Sequence, residues 1–171
     1  MPTLTALLHT ENDALRLGRC LETLYPCDSV IVVDHGSTDA TVGVAREYGA
    51  RVVAAGTHGS ADSYVQPSRA AWILCLDPRE SLTESLAASL FEWKLESRPD
   101  WKQFFQLHRR AEPAPVFALL VREETPEGWT AIPTPETRLV PPTWNRWVGR
   151  FPAIEPSSVS LEGELLRFAF P

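Results

Sequence analysis

The sequence predicts an α/β domain. A mostly parallel, Rossmann-type sheet flanked by helices comes first, followed by an irregular Pro-rich part carrying short strands. Three observations predict this. Short apolar runs alternate with stretches of helical periodicity through the first hundred residues. One of those runs, Ser29-Val-Ile-Val-Val33, is apolar on both faces, as a central parallel strand is. Eleven of the 15 prolines lie beyond residue 98.

The elements follow in order. Leu4 to Leu8 is a short apolar strand, and His9-Thr10-Glu11-Asn12 is the polar turn after it. A helix starts at Asp13, with Ala14, Leu17, Leu21 and Leu24 on one stripe and Cys20 beside it. Asn12 or Asp13 is placed to cap it, and Pro26 lies past its end. After the Ser29–Val33 strand, Asp34-His-Gly-Ser-Thr-Asp39 is a turn. A short helix then turns Ala40, Val44, Ala45 and Tyr48 inward, and Gly49 stands where a left-handed cap belongs. Arg51 to Val53 is a third strand, and Gly56 to Ala71 is a loop or broken helix. Trp72 to Asp77 is a buried strand. Ser81-Leu-Thr-Glu84 is a capping box opening a helix with Leu82, Leu86 and Leu90 inward, ending near Arg98-Pro99. Beyond it, Gln103 to Leu107, Val116 to Val121, Glu136 to Val140 and Leu165 to Phe170 read as short strands, antiparallel or at sheet edges. The echo of HGSTD at 35–39 by HGSAD at 58–62 reads as shared turn chemistry.

The chain has 171 residues, enough for one domain with one sizeable core. A net charge of -6 argues against a nucleic-acid partner. No apolar run approaches the roughly 20 residues of a membrane helix, and no leader pattern is visible. Cys20, Cys27 and Cys75 lack metal spacing and read as reduced packing residues of a cytoplasmic protein. Dinucleotide, P-loop and nucleophile-elbow motifs are absent, and the four histidines show no zinc spacing. Trp72 and Trp93 fit the core. Trp144 and Trp147, beside Arg146 and Arg150, either pack the tail, stack on a sugar, or touch a membrane surface peripherally.

Ligands of open parallel sheets bind beyond the carboxyl ends of the strands. Three such ends carry polar groups: His9 to Asn12, Asp34 to Ser37, and Asp77. Carboxylates there can read a ribose or hold a cation, and helix N-termini offer amides to phosphate. The pattern suits a nucleotide. It is equally what a solubilised rim requires.

The run TALLHTENDALRLGRCLETLYPCDSVIVVDHGSTDATVGVAREYGARVV resembles the start of a family 2 glycosyltransferase of GT-A fold, in the branch of lipopolysaccharide-core and related envelope-sugar transferases. WILCLDPRESLTESL is similar to that branch's W-I-L-x-L-D-A-D-E-x-L-T-P-E-L, and Glu136-Thr-Arg138-Leu139 resembles its T-R-L-F segment. The resemblance implies transfer of a sugar from a nucleoside diphosphate donor to an acceptor hydroxyl. Residues 1–98 would be the nucleotide-binding half and 99–171 a reduced acceptor-side half. Thr10, Glu11 and Asn12 match the first nucleotide loop. Asp34, with Gly36 and Ser37, matches the second, and Asp77 matches the first acid of the metal-binding D-x-D. The second acid is replaced by Arg79 after Pro78, and His35 follows Asp34. The helix that normally precedes the W-I-L strand has no clear counterpart in Tyr64 to Ala71, and Ile154-Glu155 lacks the family's late histidine. A divalent ion (Mg or Mn) would therefore rest weakly on Asp77 and Glu80. Two readings follow. In one, Arg79 supplies the charge a metal would give and pairs with diphosphate. In the other, the chain is an inactive binding or scaffold module.

Overall fold

The computed structural model describes residues 2–56, 64, 65, 72–96 and 115–171. The expected strand Gln103–Leu107, the second HGS turn, most of the segment from Gly56 to Ala71 and the end of the third helix lie outside the described residues.

Fourteen elements are seen among the described residues. They run β1 (Leu4–Thr10), α1 (Ala14–Glu22), β2 (Ser29–Asp34), α2 (Thr41–Glu47), β3 (Arg51–Ala54), β4 (Trp72–Leu76), β5 (Glu80–Leu82), α3 (Glu84–Glu96), β6 (Phe117–Thr125), β7 (Gly128–Ala131), β8 (Glu136–Val140), β9 (Trp147–Val148), β10 (Phe151–Pro152) and β11 (Val159–Arg167). The large sheet has the order β3-β2-β1-β4-β8-β6-β11-β5, with β7 on β6. Its first four strands are parallel, with β1 between β2 and β4. The strands expected over Leu4–Leu8, Ser29–Val33 and Trp72–Asp77 lie side by side. Their carboxyl ends therefore share one edge, the position that makes a crevice in a parallel sheet.

The sheet carries apolar clusters on both faces. Leu17, Cys20 and Leu21 of α1, Ala45 of α2 and Leu86, Leu90 and Trp93 of α3 pack on Leu4, Ala6, Leu8 and Leu74. On the other face, Leu7, Ile31, Val33 and Ile73 are covered by Val65 and Trp144, with Tyr64, Trp147 and Phe151 packed alongside. Trp144 thus packs the tail against the sheet, and Trp72 and Trp93 are core residues in edge-on contact. Buried Lys94 ties the layers together. Its Nζ donates to both Asp28 oxygens at 2.8 Å, while Asp28 accepts the Leu4 amide.

Several expectations are corrected. Residues 80–82 do not open a helix. They pair antiparallel with Leu165–Arg167 of β11, so Leu82 is a strand residue and the cap passes to Thr83, whose Oγ1 accepts the Leu86 amide at 3.2 Å. Neither Asn12 nor Asp13 caps α1 with its side chain. Flanking α2, Ala40 and Tyr48 face outward, and the Tyr48 hydroxyl donates to Glu22. The last strand runs over 159–167 inside the sheet rather than at its edge, antiparallel to β5 as expected but parallel to β6. Gly163 sits within it at φ 97°, where a Cβ would fall 2.3 Å from the Leu86 nitrogen. That close approach fixes glycine where strand propensity opposes it.

Candidate functional site

Two loops at the ends of β1 and β2 are stitched into one unit. Asn12, the one non-glycine residue of positive φ among those described, accepts the Thr38 and Asp39 amides on its Oδ1 at 2.8 and 3.3 Å. Its own amide donates to Ser37 Oγ. Asp39 accepts the first amide of α1, from Ala14, and the first of α2, from Thr41. A carboxylate between two helix starts suits the positive ends of both. The cap expected from Asn12 or Asp13 thus comes from the neighbouring loop. Asp34 turns its carboxylate to the amides of Gly36 and Ser37, at 3.2 Å from Oδ2 to each. Glu11 and Asn12 stand exposed at the rim, whereas Thr10 is fully buried.

Beneath that rim is a histidine pair. His9 Nδ1 lies 2.8 Å from His35 Nε2, and Tyr64 meets the His9 ring edge-on. Burial, then His35 and Arg150, push the His9 pKa down to about 4. His9 Nε2 and Thr10 Oγ1 are buried with no hydrogen-bond partner among the described residues.

At the end of β4, Arg79 folds back on Asp77. Its Nε and Nη2 lie 2.9 and 3.2 Å from the two carboxylate oxygens, and its amide donates to Oδ1 at 2.9 Å. Burial raises the Asp77 carboxyl, and the Arg79 contacts more than offset it, holding Asp77 below the ordinary carboxylate range. Glu80 points inward and is 0% exposed. Arg138 grips it through Nη1 and Nη2 at 3.1 and 2.8 Å, and Arg167 through Nε and Nη2 at 3.0 and 2.8 Å. The Asp77 amide takes its remaining Oε2 position at 2.8 Å. Glu136 bonds both arginines as well, and Arg167 reaches Glu123. Burial raises the Glu136 carboxyl, and the two guanidiniums more than offset this.

The donor set expected of Asp77 and Glu80 for a divalent ion is therefore not assembled. Both Asp77 oxygens face a guanidinium, and Glu80 is enclosed by two others. Mg or Mn needs several free oxygen ligands. Among the described residues, no group of three His, Cys, Asp or Glu is placed to hold a metal. The arrangement does not fit the ion.

A cavity of about 570 Å³ opens beside this network, within the range of small-molecule sites. Asp77, Arg79, Glu136 and Arg167 form its charged side, and Val148, Phe151 and Ile154 its apolar side. The apolar side is the β9–β10 hairpin. It is held by the Glu155 amide on Thr137 Oγ1 at 2.8 Å and by Phe151 over the Arg138 guanidinium at 4.2 Å. Of the residues expected to bind nucleotide, Glu11, Asn12, Asp34, Gly36 and Ser37 come together at one rim, and Thr10 is buried behind it. Asp77 and Arg79 lie at the next strand end and line the cavity. Arg167 and Glu123 were not singled out from sequence, and His9 only as part of the polar end of the first strand. Arg138 carried a signal in the Glu136-Thr-Arg138-Leu139 segment.

No protein-family model matches the chain. A relative from Rickettsia felis named "Uncharacterized glycosyltransferase" is 34% identical over 93 residues, which are 50% of this chain and 32% of the relative. Among solved structures, S. aureus TarS aligns with 72% of this chain and 21% of its own at 17% identity and a TM-score of 0.39. Glucosyl-3-phosphoglycerate synthase from Mycobacterium tuberculosis, in complex with Mn2+ and UDP-glucose, aligns with 71% of this chain and 43% of its own at 17% identity and a TM-score of 0.43. By its sequence likeness to the Rickettsia felis relative the chain is glycosyltransferase-like. The match spans about a third of the curated relative. Among the described residues, no helix is long and apolar enough to cross a membrane.

Proposed function

We propose that the chain is a family 2 glycosyltransferase that takes a nucleoside diphosphate sugar at the ends of β1, β2 and β4. It passes the sugar to an acceptor hydroxyl in cytoplasmic steps of cell-envelope polysaccharide synthesis. One observation carries the reading: the Asn12–Ser37 and Asp34 loops and the Asp77–Arg79 pair occupy adjacent carboxyl ends of a parallel sheet, beside a cavity that can hold a second ligand. Asp34 and the Gly36 and Ser37 turn would hold the nucleoside. Arg79 would turn from Asp77 to the diphosphate, replacing the charge of a divalent ion with a guanidinium.

A second reading is favoured by a separate observation. The two carboxylates lining the cavity, Asp77 and Glu136, are both ion-paired and held low. A base for the acceptor hydroxyl needs a pKa nearer the working pH. On this reading the chain binds a nucleotide without turnover. The test is thermal shift with UDP, GDP, CMP and dTDP, each in EDTA or Mn²⁺, followed by assay of donor hydrolysis. One nucleotide at a hundredfold its Kd should stabilise the fold by about 2.7 kcal/mol. Stabilisation with hydrolysis supports the transferase, stabilisation alone supports the binding module, and response to no nucleotide overturns both.

A further inference from the structure

The cavity beside Asp77 has two unlike sides, and that asymmetry selects a ligand. Its floor holds three guanidiniums, Arg79, Arg138 and Arg167, and two carboxylates, Asp77 and Glu136, with fully buried Glu80 directly behind them, so that each cation is in contact with an acid. No positive charge is left over. A phosphate or sulfate settling on Arg138 or Arg167 would have to displace a buried or half-buried carboxylate from its arginine. A neutral polyol meets no such cost, because its hydroxyls donate to carboxylates and accept from guanidiniums at once. Turning Arg79 away would leave the floor negative, which disfavours an anion further.

The opposite side offers no polar group of that kind. Val148 and Ile154 are 70% and 59% exposed, beside Phe151. Large aliphatic side chains left this open at a cavity mouth, on a hairpin already fixed to β8, form a prepared apolar wall. Gly149, at φ 61°, makes the tight turn that presents Val148.

We propose that this cavity binds a glycoside with an apolar aglycone, its neutral sugar on the paired-charge floor and its aglycone along Val148 and Ile154. Such a ligand is the acceptor class of the proposed transfer, and in that assignment alone the inference rests on the glycosyltransferase reading. Binding itself requires only the two sides of the cavity.

The test is calorimetric titration of the full chain with octyl β-glucoside below its micelle concentration, methyl β-glucoside and octyl sulfate. Octyl glucoside should bind one to one. Methyl glucoside should bind at least about tenfold more weakly, the effect of burying as few as two methylenes. Octyl sulfate should also lag octyl glucoside at least about tenfold, since its tail is the same and its head is an anion. The double variant Val148→Asp, Ile154→Asp should lose octyl glucoside affinity by about tenfold or more while circular dichroism shows an intact fold; exposed positions tolerate this change. Equal binding of methyl and octyl glucosides, equal or tighter octyl sulfate, unchanged affinity in the double variant, or no binding would each overturn the proposal. Nucleotide titration of the same wild-type sample reports the donor reading separately, so that failure of one is not mistaken for failure of the other.

Discussion

Arg79 lies in a forked contact with Asp77, two residues before it, with the guanidinium 43% exposed and the carboxylate 24%. A pair this open is screened by salt and worth little to folding. Its exposure at a strand end is what leaves Arg79 able to exchange partners. If it does so for a diphosphate, nucleotide affinity should be indifferent to EDTA and should fall as salt rises from 50 to about 500 mM. Arg79→Gln should lower affinity about tenfold with little change in Tm. Arg79→Asp should create an acidic pair and make binding depend on Mn²⁺. Calorimetry in EDTA and in Mn²⁺ checks both. Strong metal dependence in the wild type would show that Asp77 is released to a metal despite its guanidinium partner.

Asp34 has two duties that one substitution can separate. Its carboxylate closes the Gly36–Ser37 turn and faces the rim where a ribose would lie. Asp34→Ala should cost about 1 kcal/mol from the lost turn bonds and abolish nucleotide stabilisation. Asp34→Asn keeps an acceptor for the amides and should recover most of the Tm. Thermal shift with and without nucleotide reads the two effects apart. An Asp34→Ala protein that is stabilised by nucleotide as well as wild type is would remove Asp34 from the site.

The parallel half was legible because each of its elements is local. Apolar alternation, Gly49 and the polar strand ends are all read within a few residues. In the second half the strands read at Val116–Val121, Glu136–Val140 and Leu165–Phe170 are found as β6, β8 and β11, and what was not legible, there and at the end of β4, is the structure made by distant partners. Glu80 looked like a free acid beside Asp77, yet the arginines that enclose it lie 58 and 87 positions away. Ser81-Leu-Thr-Glu84 satisfied a helix-start pattern, but pairing with β11 drew residues 80–82 into a strand and moved the cap two positions on. Gly163 hid a strand interior, since the close approach of Leu86 that demands it is not visible in sequence.

The His9–His35 pair predicts a stability that depends on pH. His9 titrates near 4 in the fold, because burial, His35 and Arg150 all oppose its charge, against an ordinary 6.5. His35 is lowered as well, by burial and Arg150, with Glu11 and Asp34 acting against that. Unfolding therefore takes up protons between these values. Stability is full above about 6.5, declines as pH falls towards 4, and levels off below it. The ring is partly open to solvent, so the loss attributable to His9 is discounted to about 1 kcal/mol, roughly 3 °C in Tm. His9→Asn should flatten this part of the profile. Asp39, Asp77 and Glu136, held low, add their own losses in a more acidic window, which the variant keeps. Melting curves from pH 7.5 to 4 provide the check, and an identical slope in both proteins would exclude His9 as its source.

Glu80 should be the most sensitive charged position in the fold. It is fully buried, and its two oxygens receive four guanidinium nitrogens and the Asp77 amide. Removing the acid leaves Arg138, itself 2% exposed, buried with Glu136 as its remaining carboxylate, and leaves the Asp77 amide without its acceptor. Breaking a buried pair from one side costs about 3–5 kcal/mol, a large share of a domain's stability. Glu80→Gln keeps the shape and one acceptor oxygen, so it should fall at the lower end, and Glu80→Ala at the upper. The same change reaches the site, because the Asp77 turn is pinned by that amide bond and Arg79 is oriented by Asp77. Urea unfolding measures the first effect, and nucleotide titration below the transition measures the second. If the Glu80→Gln midpoint matches wild type, the network is not holding β4, β5, β8 and β11 together, and the fixed floor it gives the cavity fails with it.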